Sequence, residues 1–164
     1  MKAEYDIRTM TLDDSEDIID LVQESFKDAK TFYLPVLPTK KTAYHFYKLE
    51  IEPAIINRDP CHVVLSGDEC IGFSCSSTCI NKVYDLDKKI ALGVLTFILK
   101  NHRRQGLSEE LRYLTMKGLK ELEAEYVLCD IYEPNKPSLL GMKKICEESN
   151  LNPELIFERY GCKL

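Results

Sequence analysis

A chain of 164 residues with 45% apolar and 30% charged side chains has the size and balance of one globular domain, here expected over residues 1–164. A formal net charge of −5 argues against non-specific binding to a polyanion and fits a cationic or amine-bearing partner better. Seven cysteines include no C-x-x-C pair and no companion histidine pair, which argues against zinc; they read as small core thiols of a reducing compartment, with no metal expected. The opening "MKAEYDIRTM" lacks an apolar signal region, and the longest apolar run, 90–99, is too short to cross a bilayer. The expectation is a cytoplasmic protein with no membrane anchor.

Tyr5, Ile7 and Thr9 alternate with Asp6 and Arg8, which predicts a short half-buried strand. The period then lengthens: Ile18, Leu21, Val22, Ser25 and Phe26 form one helical stripe. Thr11-x-x-Asp14 supplies its capping signal, ahead of an acidic first turn. Residues 31–38, "TFYLPVLP", read as an apolar loop with two prolines. A second helix is expected over 41–57, dense in Tyr44, Phe46, Tyr47, Leu49 and Ile51. "CHVVLS" and "CIGFSCSST" are strand runs on either side of Gly67-Asp68-Glu69, a hairpin signal. After a polar connection at 81–89, "IALGVLTFIL" is apolar on both faces, as in a strand with neighbours on each side.

From 105 to 123, Leu107, Leu111, Leu114, Gly118 and Leu122 predict a helix. Its glycine would permit close approach to the sheet, at about 1 kcal/mol in helix propensity. "YVLCDIY" reads as a buried strand, Pro137 as the first turn of a helix over 137–149, and "ELIFERY" as a closing strand. The order β-α-α-β-β-β-α-β-α-β gives an α/β class. It implies a central mixed sheet with helices on both faces and parallel pairing within the β-α-β at 90–132.

The stretch "LKNHRRQGLSEEL" joins that strand to its helix. A helix start leaves its first backbone N–H groups unpaired, and with the helix dipole they form an anion site. Gly106 removes a Cβ there, Arg103 and Arg104 add charge, and Ser108 adds a hydroxyl. The alternative is an ordinary solvated basic turn. Neither G-x-G-x-x-G nor G-x-x-x-x-G-K-[ST] is present, so a dinucleotide or P-loop site is not supported. The patch at 100–104 lacks interleaved aromatics, which together with the net charge argues against nucleic acid.

In context the loop resembles that of a known family. "HRRQGLS" is similar to the R/Q-x-x-G-x-G/A loop of the GNAT acyltransferase superfamily, as Arg103-x-x-Gly106-x-Ser108, with serine where that family has glycine or alanine. "IRTMTLDD" looks like the family's first strand and helix entry, and Asn135-x-x-Ser138 like its Asn-x-x-Ala after the fifth strand.

The resemblance implies a GNAT-like fold and an acetyl-CoA-dependent N-acetyltransferase. Such an enzyme moves an acetyl group to a primary amine by direct attack in a ternary complex. The acceptor stays open: a small molecule, a peptide or a protein. The backbone of Thr96, Phe97 and Ile98 would pair with pantetheine, as in strand addition. Arg103, Arg104, Gln105, Gly106, Leu107 and Ser108 would hold the pyrophosphate, and Asn135 would touch the pantetheine arm. Asp130, five residues before that asparagine, is the implied general base, with Glu133 as alternative. A backbone N–H of the fourth strand would stabilise the oxyanion. Met142 stands where the family places a tyrosine acid, which motivates a second reading: a catalytically silent domain that binds an acyl-CoA or a partner protein.

Overall fold

The computed structural model describes residues 4–28, 37–78, 90–129, 140, 143 and 144. The closing strand expected at "ELIFERY" and most of the helix expected from Pro137 lie outside these residues, as do the loop at 31–36 and the connection at 81–89. Five strands form one sheet in the order β1-β2-β3-β4-β5: Asp6–Thr9, Cys61–Ser66, Glu69–Ser77, Ile90–Ile98 and Tyr126–Cys129. The first four are antiparallel neighbours and β4 runs parallel to β5, the mixed sheet that the element order implied.

Helix α1 (Ser15–Asp28) follows β1 through a short 3-10 turn. The Asp14 carboxylate accepts hydrogen bonds from the Thr11 N–H at 2.7 Å and hydroxyl at 3.1 Å, and from both terminal nitrogens of Arg8 at 2.9 and 2.6 Å. These bonds hold the Asp14 carboxyl below the usual carboxylate range, the Arg8 contact contributing most. Ile18, Ile19, Leu21, Val22 and Ser25 are buried, and Phe26 meets Phe46 edge-on at 5.5 Å. The stripe read from the sequence is therefore the core face.

The second helix is interrupted. Helix α2 (Lys40–Phe46) is capped by Thr39, whose hydroxyl accepts the Thr42 N–H at 3.1 Å. The chain then widens into a π turn over Tyr47–Ile51 before α3 (Glu52–Ile56). Pro53 explains the change of pitch: it has no N–H, and its ring crowds the preceding turn. The widened turn redirects the Glu52 N–H to the Tyr47 carbonyl. Ala43, Tyr47, Ile51 and Ala54 face the core, while Tyr44 and Leu49 are exposed.

Helix α4 (Leu107–Glu121) packs on the other face of the sheet. Leu107 and Leu111 join Val64, Ile71 and Ile98 in a core separate from the one under α1 and α2. At its far end the expectation needs correction: Leu119 is buried, and Leu122 is 40% exposed. Steps of four overshoot a 3.6-residue period, and the helix has ended before Leu122. Gly118 does permit a close approach, but to Pro60 ahead of β2: a Cβ there would stand 2.7 Å from the proline Cγ. Among the described residues no helix is long and apolar enough to cross a membrane.

Candidate active site

The site is assembled from the end of β4, the loop after it and the start of α4. Two features of the backbone shape it. The first is in β4 itself. Leu95 pairs with Cys75, and Gly93 pairs with Ser76, which leaves Val94 as an extra residue on β4. Such a bulge bends its strand and increases the local twist. Pairing of β4 with β5 among the described residues runs from Ile90 to Gly93, on the N-terminal side of the bulge.

The second feature is the loop. Past Leu99 a 3-10 turn (Lys100–His102) leads to Arg103 in extended conformation. Arg104 then takes a left-handed φ of 67°, and Gly106 one of 83° as the residue that caps α4. A left-handed residue followed by a right-handed one turns successive N–H groups to the same side and forms an anion-binding hollow. The Gly106 carbonyl accepts from Glu109 and Glu110 at 2.9 and 3.1 Å, which starts the helix ladder. Among the described residues, the N–H groups of Arg104, Gln105, Gly106, Leu107 and Ser108 have no hydrogen-bond partner. Unpaired donors at a positive helix end suit a pyrophosphate, and no side chain of the described residues occupies the space a Gly106 Cβ would fill.

The two arginines divide the work. Arg104 is exposed, and its guanidinium has no partner among the described residues. Arg103 is held on three sides. Its Nε donates to the Ile98 carbonyl at 2.8 Å, its Nη2 pairs with the Asp28 carboxylate at 2.5 Å, and its guanidinium lies 5.4 Å from the Phe97 ring centroid. Arg103 thus ties the end of β4 and the loop to the C-terminus of α1. Sequence reading did not find Asp28, which stands 75 positions away and carries no local signal.

The other expected residues fall as follows. Thr96 is exposed opposite Ser74, Phe97 is half-buried toward α1, and Ile98 is buried beneath α4. Ser108 is half-buried in the first turn of α4. His102 is half-buried and meets Tyr5 edge-on at 6.0 Å, a packing role. Asp130, Glu133, Asn135 and Met142 lie outside the described residues.

No protein-family model matches the chain, and no curated protein is similar to it in sequence. Solved structures do match it over most of their length. One is an aminoglycoside acetyltransferase from an uncultured soil metagenomic sample (19% identity, TM-score 0.63, 97% of each chain covered). Another is the ribosomal-protein-alanine N-acetyltransferase of Brucella melitensis biovar Abortus 2308 (13% identity, TM-score 0.62, 98% of this chain and 99% of that one). A third is the diaminobutyrate acetyltransferase of Paenibacillus lautus in complex with L-2,4-diaminobutyric acid and coenzyme A (15% identity, TM-score 0.63, 90% and 78%). At these identities the likeness is one of fold, and the chain has the fold of the GNAT N-acetyltransferases.

Proposed function

We propose that the protein is an acetyl-CoA-dependent N-acetyltransferase acting on a primary amine by direct attack in a ternary complex. One observation carries the reading: five N–H groups from Arg104 to Ser108 that have no partner among the described residues, in a loop with two left-handed residues at a helix start after a bulged strand. In this reading those donors hold the pyrophosphate, and Arg104 adds a charge-assisted contact. Arg103 supports the loop from behind through Asp28 and the Ile98 carbonyl rather than by reaching for phosphate. Pantetheine lies along Thr96, Phe97 and Ile98, and Asn135 is the residue that would touch its arm. The bound thioester supplies an electrophilic carbonyl. Asp130 is the base that takes the amine proton, with Glu133 as alternative, and a backbone N–H beside the Val94 bulge is the oxyanion donor.

Thermal denaturation with acetyl-CoA tests binding. At a hundredfold excess over Kd the linkage is about 2.7 kcal/mol, roughly 5–11 °C in Tm for a chain of this size. No shift at millimolar acetyl-CoA overturns the proposal. Release of free thiol across a panel of small amines, peptides and lysine-bearing proteins tests turnover. Asp130→Asn should lower kcat by about 10²–10⁴ with little change in acetyl-CoA affinity. Binding without turnover on any acceptor would select the silent acyl-CoA-binding domain instead.

A further inference from the structure

The cores hold a pair of nucleophiles that acetyl transfer does not use. Cys61 opens β2 and Cys75 sits near the end of β3, directly opposite each other in the antiparallel ladder. Ser76 donates its N–H to the Pro60 carbonyl at 3.3 Å, which makes Pro60 and Ser76 the hydrogen-bonded pair. Cys61 and Cys75 are then the adjacent non-hydrogen-bonded pair, the position where facing side chains stand closest, with Cα atoms about 4.5 Å apart. The two sulfurs are 3.3 Å apart. Both residues are buried, at 1% and 3% exposure. Disulfides form at Cα separations of about 4.4–6.8 Å with a bond of roughly 2.05 Å, so a small side-chain adjustment suffices.

We propose that Cys61 and Cys75 are a redox-active dithiol that hydroperoxides oxidise to a β2–β3 cross-strand disulfide. The Cys61 sulfur attacks the terminal oxygen of the hydroperoxide as its proton passes to the departing oxygen, while the Cys61 thiol beside it and burial push the Cys75 thiol well up and keep it protonated for the second step. An S–O bond forms, the O–O bond breaks, and the alcohol (water, for hydrogen peroxide) leaves carrying a proton. The second sulfur attacks the sulfenic sulfur; the S–S bond forms, the S–O bond breaks, and water leaves with the second proton. Two thiols and one hydroperoxide thus give one disulfide, one alcohol and one water. Burial and proximity decide among the products. A partner sulfur at 3.3 Å intercepts the sulfenic acid before a second peroxide can carry it to sulfinic acid. A glutathione-sized disulfide has no path to sulfurs this buried, whereas hydrogen peroxide is small and uncharged.

The effect reaches the candidate site through the sheet. Cys75 pairs with Leu95, next to the Val94 bulge, so the bond would clamp β3 at the point where β4 changes register. The chemistry stands whether or not the protein transfers acetyl groups.

The test uses the native protein. It is treated with hydrogen peroxide, quenched, unfolded, alkylated with light iodoacetamide, reduced, and alkylated again with heavy iodoacetamide. Trypsin alone leaves Cys61, Cys70, Cys75 and Cys79 in one peptide between Arg58 and Lys82; added cleavage after Glu69 separates Cys61 from Cys75. The expected result is equal heavy label on Cys61 and Cys75, a Cys61–Cys75 linked peptide before reduction, and no glutathione adduct at either cysteine after treatment with oxidised glutathione. Light label at both under peroxide that oxidises the exposed Cys129 overturns the proposal. Sulfinic acid at either one, or pairing with Cys70 or Cys79, overturns it equally.

Discussion

Replacing Gly106 with alanine separates the cost of a left-handed turn from the cost of a spoiled cradle. Gly106 has φ 83°, which strains any side chain, yet a Cβ there meets nothing within 4 Å. With no clash, the folding penalty is the conformational one alone, about 1–2 kcal/mol, or roughly 2–8 °C in Tm. The ligand penalty is separate. The new methyl stands beside the N–H groups of residues 106 and 107, and each charge-assisted bond it displaces is worth about 1.5–3 kcal/mol. Loss of one weakens coenzyme A binding by about 10- to 150-fold. Gly67, at the β2–β3 turn, supplies the control: φ is 62° and a Cβ again meets nothing within 4 Å. Gly67→Ala should lower Tm by the same amount and leave coenzyme A affinity unchanged, both read by thermal denaturation and calorimetric titration. If the two variants lose equal stability and bind coenzyme A equally well, the loop is an ordinary turn and the cradle argument fails.

Arg103→Lys should lower Tm and weaken coenzyme A several-fold, less than Gly106→Ala, because an ammonium cannot serve the Ile98 carbonyl, Asp28 and the Phe97 face together; unchanged values in both would remove its bracing role. Asp14→Asn should cost about 1–3 kcal/mol at neutral pH, toward the lower end because the Arg8 side chain is 42% exposed. Since folding depresses the Asp14 pKa, its contribution is present above the ordinary carboxylate range and is lost as pH falls through the folded value. The Tm gap between variant and wild type should therefore close in acid, and a gap that persists there would contradict the assignment. Gly118→Ala gains about 1 kcal/mol in helix propensity but forces a Cβ to 2.7 Å from Pro60. The Pro60 carbonyl is held by the Ser76 N–H and hydroxyl, which resists a shift of the proline main chain away from the helix. Overpacking costs about 1–3 kcal/mol, and a lower Tm is expected; a higher one would show that α4 slides freely.

What could be read from the chain alone was what repeats locally. The α1 stripe, the Gly67 hairpin, the apolar β4 and the α4 start each carry their signal within a few residues, and all stand where expected. Contacts that depend on register were not legible. A regular ladder from the Gly67-Asp68 turn sets Cys61 opposite Ser74; the extra residue Ile71 on β3 moves it to Cys75. The same holds for Arg103, whose sequence neighbours suggest a phosphate ligand and whose side chain is occupied by Asp28. The π turn was hidden because an apolar-rich run masks the change of pitch that Pro53 imposes.

The Val94 bulge is a property of counting. It exists because β4 has one residue more than its β3 partner can match, whatever that residue is. A one-residue deletion there would let the two strands zip into a regular ladder while leaving every side chain of the candidate site in the protein. Point substitutions and deletions therefore probe different things in this strand. The tolerance of β4 to changes of length, rather than of composition, is the sharper constraint on any chain that keeps this site.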